Sequence, residues 1–414
     1  VAARGAAPAA GPCRRSFSSE SPAAGSSTGS GRRAFHISEA RLREFLQAEV
    51  SFFAGQEPNK LSVKQILDAA SPEQAAVLSH KELPIRFAQR ILQIEGLDGW
   101  QGSPELVEVH RLYSRTFRDL RLVELDLSRL DVFTDVITRL KGRMKTVIPH
   151  LATGIRSLKD SEGYDEALLG QWLDDFLLSR IGTEMLTSQY IACVEASANP
   201  RRGRHGIVDD RCDPAAICLQ AARHAKKLCR QHFLLKQDVQ IQVESSEAGA
   251  RGRRISFPYV PQYLFYIMVE LLKNSARATV EVCGGDPRGI QERPIVITVS
   301  ADPSEVAIRV HDVAGGIPFS VADRVWSYMY STATQHQGGS AFSQQGTPLA
   351  GYGVGLPLSR LYARYLGGSL HLQSLPGVGT CAYLYLKRLE SEAREEHPTD
   401  FSSVSSMADP SNSY

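Results

Sequence analysis

Apolar residues recur at three- and four-residue spacings along the first half of the chain and at alternate positions along parts of the second. The helical spacing predicts helices over Ala40–Val50, Gln74–Ala88, Leu106–Leu120, Val132–Leu158 and Glu166–Ser188. Long helices in succession, with no strand-like alternation between them, predict an antiparallel helical bundle over residues 38–196. Residues 197–213 are polar and broken by Pro and Gly, and read as a linker. Beyond them the period changes. Pro214–Gln231 and Gln262–Val282 read as helices, and Val239–Glu244 as a strand. Ile295–Val299, Val306–Val310, Leu370–Gln373 and Ala382–Leu386 alternate as half-buried strands do. This order predicts an α/β sandwich over 214–390, with helices packed on one face of a mixed sheet, so the whole chain is α plus α/β. The tail, 391–414, is charged and then Ser-rich, and reads as disordered.

Composition sharpens this picture at a few points. The chain has 414 residues, 43% hydrophobic and 22% charged, and a net charge of +2. That balance is no electrostatic footprint for nucleic acid, and no window approaches the roughly 18 apolar residues of a membrane-spanning helix. Neither a nucleic-acid partner nor membrane insertion is expected. The seven cysteines include no C-x-x-C pair, which argues against structural zinc and a disulfide scaffold and for a reducing compartment. Residues 1–35 are rich in Ala, Ser and Gly. They carry Arg4, Arg14, Arg15, Arg32 and Arg33 against the single acid Glu20. Such a composition predicts an organelle transit peptide over residues 1–37.

The candidate chemistry lies in three places. On the helix 262–282, Glu270, Lys273, Asn274 and Arg277 fall in a stripe roughly 100° wide, with Leu264, Phe265, Met268, Leu272 and Ala276 opposite. An ordinary amphipathic surface helix would show the same division. Next comes His311-Asp312-Val-Ala-Gly315-Gly316 at a strand end, where a carboxylate can accept from an exocyclic amine, although Asp and Gly also make simple turns. Last is Gly351-Tyr352-Gly353-Val354-Gly355-Leu356-Pro357. Its alternate glycines allow close approach to phosphate oxygens, and Pro357 suits the first position of a helix over 357–366, whose N-terminus favours anions. Residues 331–350, between these motifs, read as a lid or a surface loop. A carboxamide for a metal, a carboxylate to take a proton and N–H groups for phosphates are what an ATP site needs.

In this order the three motifs resemble the N, G1 and G2 boxes of the GHKL (Bergerat) ATPases, shared by gyrase and histidine kinases. The resemblance goes closer. Leu78-Ser-His-Lys-Glu-Leu-Pro-Ile-Arg86, Phe176-Leu-Leu-Ser-Arg-Ile-Gly182, Phe257-Pro-Tyr-Val-Pro261 and Glu270-Leu-Leu-Lys-Asn-Ser-Ala-Arg-Ala-Thr279 are similar to the mitochondrial α-ketoacid dehydrogenase kinases, as are Tyr330-Ser-Thr-Ala333, Gly346–Pro357 and Gly377-Val-Gly-Thr380. The resemblance implies that Glu270 is the general base for a substrate serine and that Asn274 ligates Mg²⁺. It further implies that Asp312 reads the adenine amine, with Gly316 in the same box and Arg277 on the same helix face. Ser331 and Thr332 would lie near the nucleotide, Gly351, Gly353 and Gly355 would wrap the ATP phosphates with Tyr352, Val354 and Leu356 between and beyond them, and Thr380 would sit behind the adenine. The implied protein substrate is the E1 subunit of an α-ketoacid dehydrogenase. The implied partners are the lipoyl domain of E2 and a second copy in a homodimer, in the mitochondrial matrix.

Tyr330–Ala333 and Gly346–Ala350 look like the pyruvate enzyme, which is favoured. Tyr365–Leu370 and Leu372–Leu375 look like the branched-chain one. The chain departs from the family at four points. Met144 stands where a His ahead of Val-Val-Pro is thought to tune the catalytic Glu, and His150, six residues and about 240° further round a helix, is no obvious substitute. Ala314 stands for Gly, Cys381 stands for Asp, and the tail has no Asp-Trp motif. The Met144 departure motivates a second reading, a catalytically weak, ATP-gated binding module on the E2 core. A two-component histidine autokinase fits less well, because none of His36, His80 and His150 carries the usual phosphoacceptor pattern.

Overall fold

A computed structural model describes residues 38–61, 63–199, 203–247, 254–330 and 353–388. Residues 1–37, expected as a transit peptide, the 331–350 segment and the tail from 389 lie outside the described residues, as do Ser331, Thr332, Gly351 and Tyr352. Contacts divide the chain into Val1–Glu44 and Phe45–Tyr414. Of the first, residues 38–44 open helix α1 (Glu39–Ala54), where the Arg41 amide donates to Ser38 Oγ at 3.3 Å.

Within the second unit the helical half comprises the rest of α1, then α2 (Val63–Asp68), α3 (Pro72–Glu95), α4 (Pro104–Leu122), α5 (Asp131–Met144), α6 (Val147–Glu162) and α7 (Glu166–Ala198). Helix α3 starts where a capping box dictates: the Gln74 amide donates to Ser71 Oγ at 3.2 Å, and Gln74 Oε1 accepts from the Ser71 amide at 3.4 Å. The single helix expected over Val132–Leu158 is two. Pro149 has no N–H for the Lys145 carbonyl and its ring would clash there, so the run breaks at Lys145-Thr146 and Pro149 sits in the first turn of α6. Helix α7 has 33 residues and buries side chains on nearly every face, among them Trp172, Phe176, Ile181 and Tyr190. This is the expected signature of a central helix packed on several sides.

The segment expected as a linker is more ordered than its polar text suggests. Strands β1 (Arg204–His205) and β2 (Val208–Cys212) form a hairpin, and β2 pairs antiparallel with β4 (Phe257–Tyr259). Gln189 of α7 fastens the hairpin turn by accepting from the Ile207 amide at 3.0 Å.

The remaining elements are α8 (Pro214–Phe233), β3 (Ile241–Glu247), α9 (Pro261–Val282), α10 (Pro287–Gln291), β5 (Ile295–Ala301), β6 (Glu305–Asp312), α11 (Gly355–Tyr365), β7 (Ser369–Leu375) and β8 (Gly379–Lys387). The sheet order is β3-β5-β6-β8-β7. Only β3 and β5 run parallel, so the sheet is mixed, as expected. Val306, Ile308, Val310 and Asp312 alternate with half-buried residues along β6. The buried set lies on the face covered by α8, α9 and α11. Each fully buried Leu or Ile of that layer, such as Leu264, Leu272 and Ile308, contributes about 1.5–3 kcal/mol of transfer free energy. Residues 319–326 form a short 3₁₀ helix between β6 and the undescribed segment.

Candidate functional site

Helix α9 fixes the site because its two faces do different work. Leu264, Met268, Leu272 and Ala276 are buried, as the pattern required. The polar stripe is not a solvated face, however: Glu270 and Lys273 are both buried, and Lys273 Nζ donates to Glu270 Oε1 at 2.8 Å. Two buried charges are tolerable when each satisfies the other, so Lys273 holds one carboxylate oxygen in place. The other, Oε2, faces the first turn of α11. A Cβ built on Gly355 would overlap that oxygen, so glycine is required by close approach even though its φ is unstrained. Asn274, next on α9, is exposed and lines the same cavity. Arg277 is committed to Glu281 of its own helix, with Nε to Oε1 at 2.7 Å.

At the far end, β6 delivers Asp312 as its last residue, paired across the sheet with Thr380 of β8. Asp312 is buried and accepts three hydrogen bonds: Ser275 Oγ of α9 to Oδ2 at 2.7 Å, and the amides of Ala314 and Thr380 to Oδ1 at 3.2 and 3.3 Å. A carboxylate has about four acceptor positions, so one is left for a ligand donor. Ser374 Oγ, 2.9 Å from Thr380 Oγ1, accepts from the Ile317 amide at 2.7 Å and so ties the loop after β6 to β7. Gly316 belongs to this loop with φ +70°, and a Cβ there would strike the Leu375 and Gly379 carbonyls. Ala314, in place of the usual Gly, is buried and keeps its amide on Asp312, so the departure leaves the turn intact.

Between these ends lies a cavity of about 400 Å³, lined by Glu270, Asn274, Asp312, Gly316, Gly353, Gly355, Leu356 and Thr380, with Leu372 and Ala382 at its apolar floor. The volume is in the range of small-molecule sites. Gly353 closes one wall, its carbonyl accepting from the Met329 amide at 2.9 Å. Val354 is the N-cap of α11, which begins two residues before the expected Pro357. The first-turn amides of a helix lack intrahelical acceptors and favour an anion. The described site thus has a carboxylate reader at one end, a polar helix face along its length, and a buried carboxylate beside a helix N-terminus at the other. Among the described residues no group of three His, Cys, Asp or Glu could hold a metal by itself. A metal here would lean on Asn274 and on ligand oxygens, which suits Mg²⁺.

Five side chains are placed in ways that go beyond the sequence reading. Lys273, named on the polar stripe without a role, fixes Glu270, and an i, i+3 pairing was the available signal for it; Ser275, which fixes Asp312, was not a site candidate. Met144 closes α5 as a buried core residue whose carbonyl accepts from Arg180 Nη2 at 2.8 Å. His150 belongs to a different helix from Met144, so the single-helix angle does not apply. It faces α4, where Arg111 and then, more weakly, His150 hold the Glu108 carboxyl below its ordinary range. Cys381 turns to the opposite face of the sheet, with Sγ 3.1 Å from Nδ1 of His311.

Helix α11 is anchored to the helical half. Arg360 lies 3.8 Å from Asp174 of α7 and over the Trp326 ring, Tyr328 OH donates to the same Asp174, and Tyr362 hydrogen-bonds Glu184 of α7.

Residues 53–209 match the family model of mitochondrial branched-chain α-ketoacid dehydrogenase kinase. Residues 259–390 match that of the histidine kinase-, DNA gyrase B- and HSP90-like ATPases. Over 370 residues the chain is 34% identical to the mitochondrial [pyruvate dehydrogenase (acetyl-transferring)] kinase isozyme 3 of Homo sapiens, covering 86% of this chain and 89% of that one. It is 35% identical over 363 residues to the mitochondrial [pyruvate dehydrogenase (acetyl-transferring)] kinase of Drosophila melanogaster, covering 84% and 86%.

Proposed function

The chain belongs to the mitochondrial α-ketoacid dehydrogenase kinase family, and from that premise we propose that it transfers the γ-phosphate of ATP to a serine of the E1 subunit of pyruvate dehydrogenase. The observation that carries the reading is the state of Glu270: buried, held at Oε1 by Lys273, and presenting Oε2 to the helix end where the phosphates belong. A carboxylate so placed takes the proton of a seryl hydroxyl. Phosphoryl transfer asks little covalent chemistry of a protein, so positioning and charge neutralisation carry the rate. Asp312 accepts from the adenine amine with Thr380 beside it, and the first-turn amides of α11 with Gly353 and Gly355 meet the phosphates. Asn274 would hold Mg²⁺, whose role when bound is to neutralise phosphate charge. Ser331, Thr332, Gly351 and Tyr352 complete the nucleotide surface, and Gly316 and Arg277 border it.

In the same reading residues 38–196 are the regulatory half, docking on the lipoyl domain of E2, and 214–390 the kinase half. The enzyme works as a homodimer in the mitochondrial matrix after removal of a transit peptide. The support for these assignments is the family.

The deciding experiment offers Mg-ATP to purified pyruvate and branched-chain E1, each with its E2, using the parent and Glu270→Gln. The expected outcome is serine phosphate on pyruvate E1, lost in the variant while ATP binding persists. Phosphate on the branched-chain E1 alone would exchange the substrate. ATP binding with no transfer in the parent would leave an ATP-gated binding module.

A further inference from the structure

A second cavity, of about 230 Å³, meets the first at one residue. The partition runs along α9. Residues from Glu270 to Val282 line the nucleotide cavity; Gln262, Tyr263, Phe265, Tyr266 and Val269 line the other; Glu270 alone on this helix lines both. The second cavity is walled by aromatic rings, Tyr362 standing 4.9 Å from both Tyr263 and Tyr266 between centroids. Its polar groups come from three helices: Glu184 of α7, His224 of α8 and Gln262 of α9. It is smaller than the usual range for small-molecule sites.

We infer that this cavity is the vestibule through which the acceptor serine of the protein substrate reaches Glu270, and that Glu184, His224 and Gln262 select the segment admitted. The inference rests on Glu270 acting as the base. Asp312 fixes the adenine end of the nucleotide and the N-terminus of α11 its phosphate end. In phosphoryl transfer the attacking and leaving oxygens lie roughly in line, so the hydroxyl must arrive from beyond the γ-phosphate, on the side away from Asp312. The second cavity opens on Glu270 from that side. The acceptor's O–H proton passes to Glu270, its oxygen bonds to phosphorus, and the bond from phosphorus to the oxygen bridging it to ADP breaks. Burial, then the nearby Glu270 charge, pushes the Tyr266 hydroxyl well above its ordinary pKa, so this wall stays uncharged beside Glu270. The half-buried His224 and exposed Gln262 lie at the rim, where a substrate backbone can reach them.

The test uses the full chain with pyruvate E1 and its E2. Gln262→Trp and His224→Ala are each expected to raise KM for E1 about tenfold, while the ATP dissociation constant stays within about twofold of the parent. Gln262→p-benzoylphenylalanine, irradiated with E1 present, is expected to crosslink within the E1 peptide that carries the phosphorylated serine. Glu270→Gln runs alongside. Transfer surviving in Glu270→Gln would remove the base reading. Parental KM for E1 in both rim variants, or a crosslink elsewhere on E1, with transfer still dependent on Glu270, would overturn the vestibule alone.

Discussion

The two oxygens of Glu270 are not equivalent, and the difference is what a base requires. Oε1 is spent on Lys273, and Oε2 is left to the space beside Gly355. A single methyl group is therefore a sharp probe. Gly355→Ala would push Oε2 out of that space while leaving Asp312 and its three donors untouched. A displacement of about 1 Å at a reacting group can cost on the order of a hundredfold in rate. The expected result is a fall in kcat of about 10- to 100-fold with ATP affinity changed only a few-fold, read by initial rates and calorimetric titration. The sequence displayed Glu270, Asn274 and Asp312 at helix and strand positions that the structure keeps. It did not display which charges would be buried, because the wheel of α9 is the same whether its polar stripe meets water or a second layer of protein.

Elements were legible where one local signal sufficed. Helices α8 and α9 and strands β5 and β6 follow their periodicity to within a few residues. Pro149 could have announced the gap between α5 and α6, since proline removes a donor that a continuous helix needs. The β1–β2 hairpin could not be read locally: its strands are short and polar, and they are stabilised by β4, about 45 residues later, and by Gln189 of α7. The contacts of the segment before the undescribed 331–352 are similarly remote. Tyr328 reaches Asp174, with burial and then the Asp174 charge raising its hydroxyl pKa well above the ordinary value. Removing that hydroxyl in Tyr328→Phe leaves Asp174 with Arg360. It is expected to cost about 1 kcal/mol in urea denaturation and to speed amide exchange at Met329, whose amide rests on the Gly353 carbonyl.

Across the whole molecule, the buried thiols set an alkaline limit. Desolvation raises Cys193 and Cys229 from 9.0 to about 11, and Cys212 and Cys218 to about 12. An acid whose folded pKa is raised adds stability that is fully present below its unfolded pKa and lost as pH climbs toward the folded one. Denaturation midpoints are therefore expected to hold up to about pH 9 and fall between 9 and about 12, less steeply in Cys218→Ala. Among the cysteines of the described residues, native alkylation should mark the half-buried Cys283 and Cys381 first, as peptide mass spectrometry would show. At the same scale, α7 behaves as a rod with two footings. Asp174 bears on Arg360 and Tyr328, beside the start of α11, and Glu184 bears on Tyr362, in the wall of the second cavity, about 15 Å further along the axis. A rigid rod cannot be nudged at one footing and stay still at the other. Whatever shifts α7 is therefore expected to move the walls of both cavities together, and under the proposed reading ATP and the acceptor would by reciprocity push back on the helical half with the same free energy.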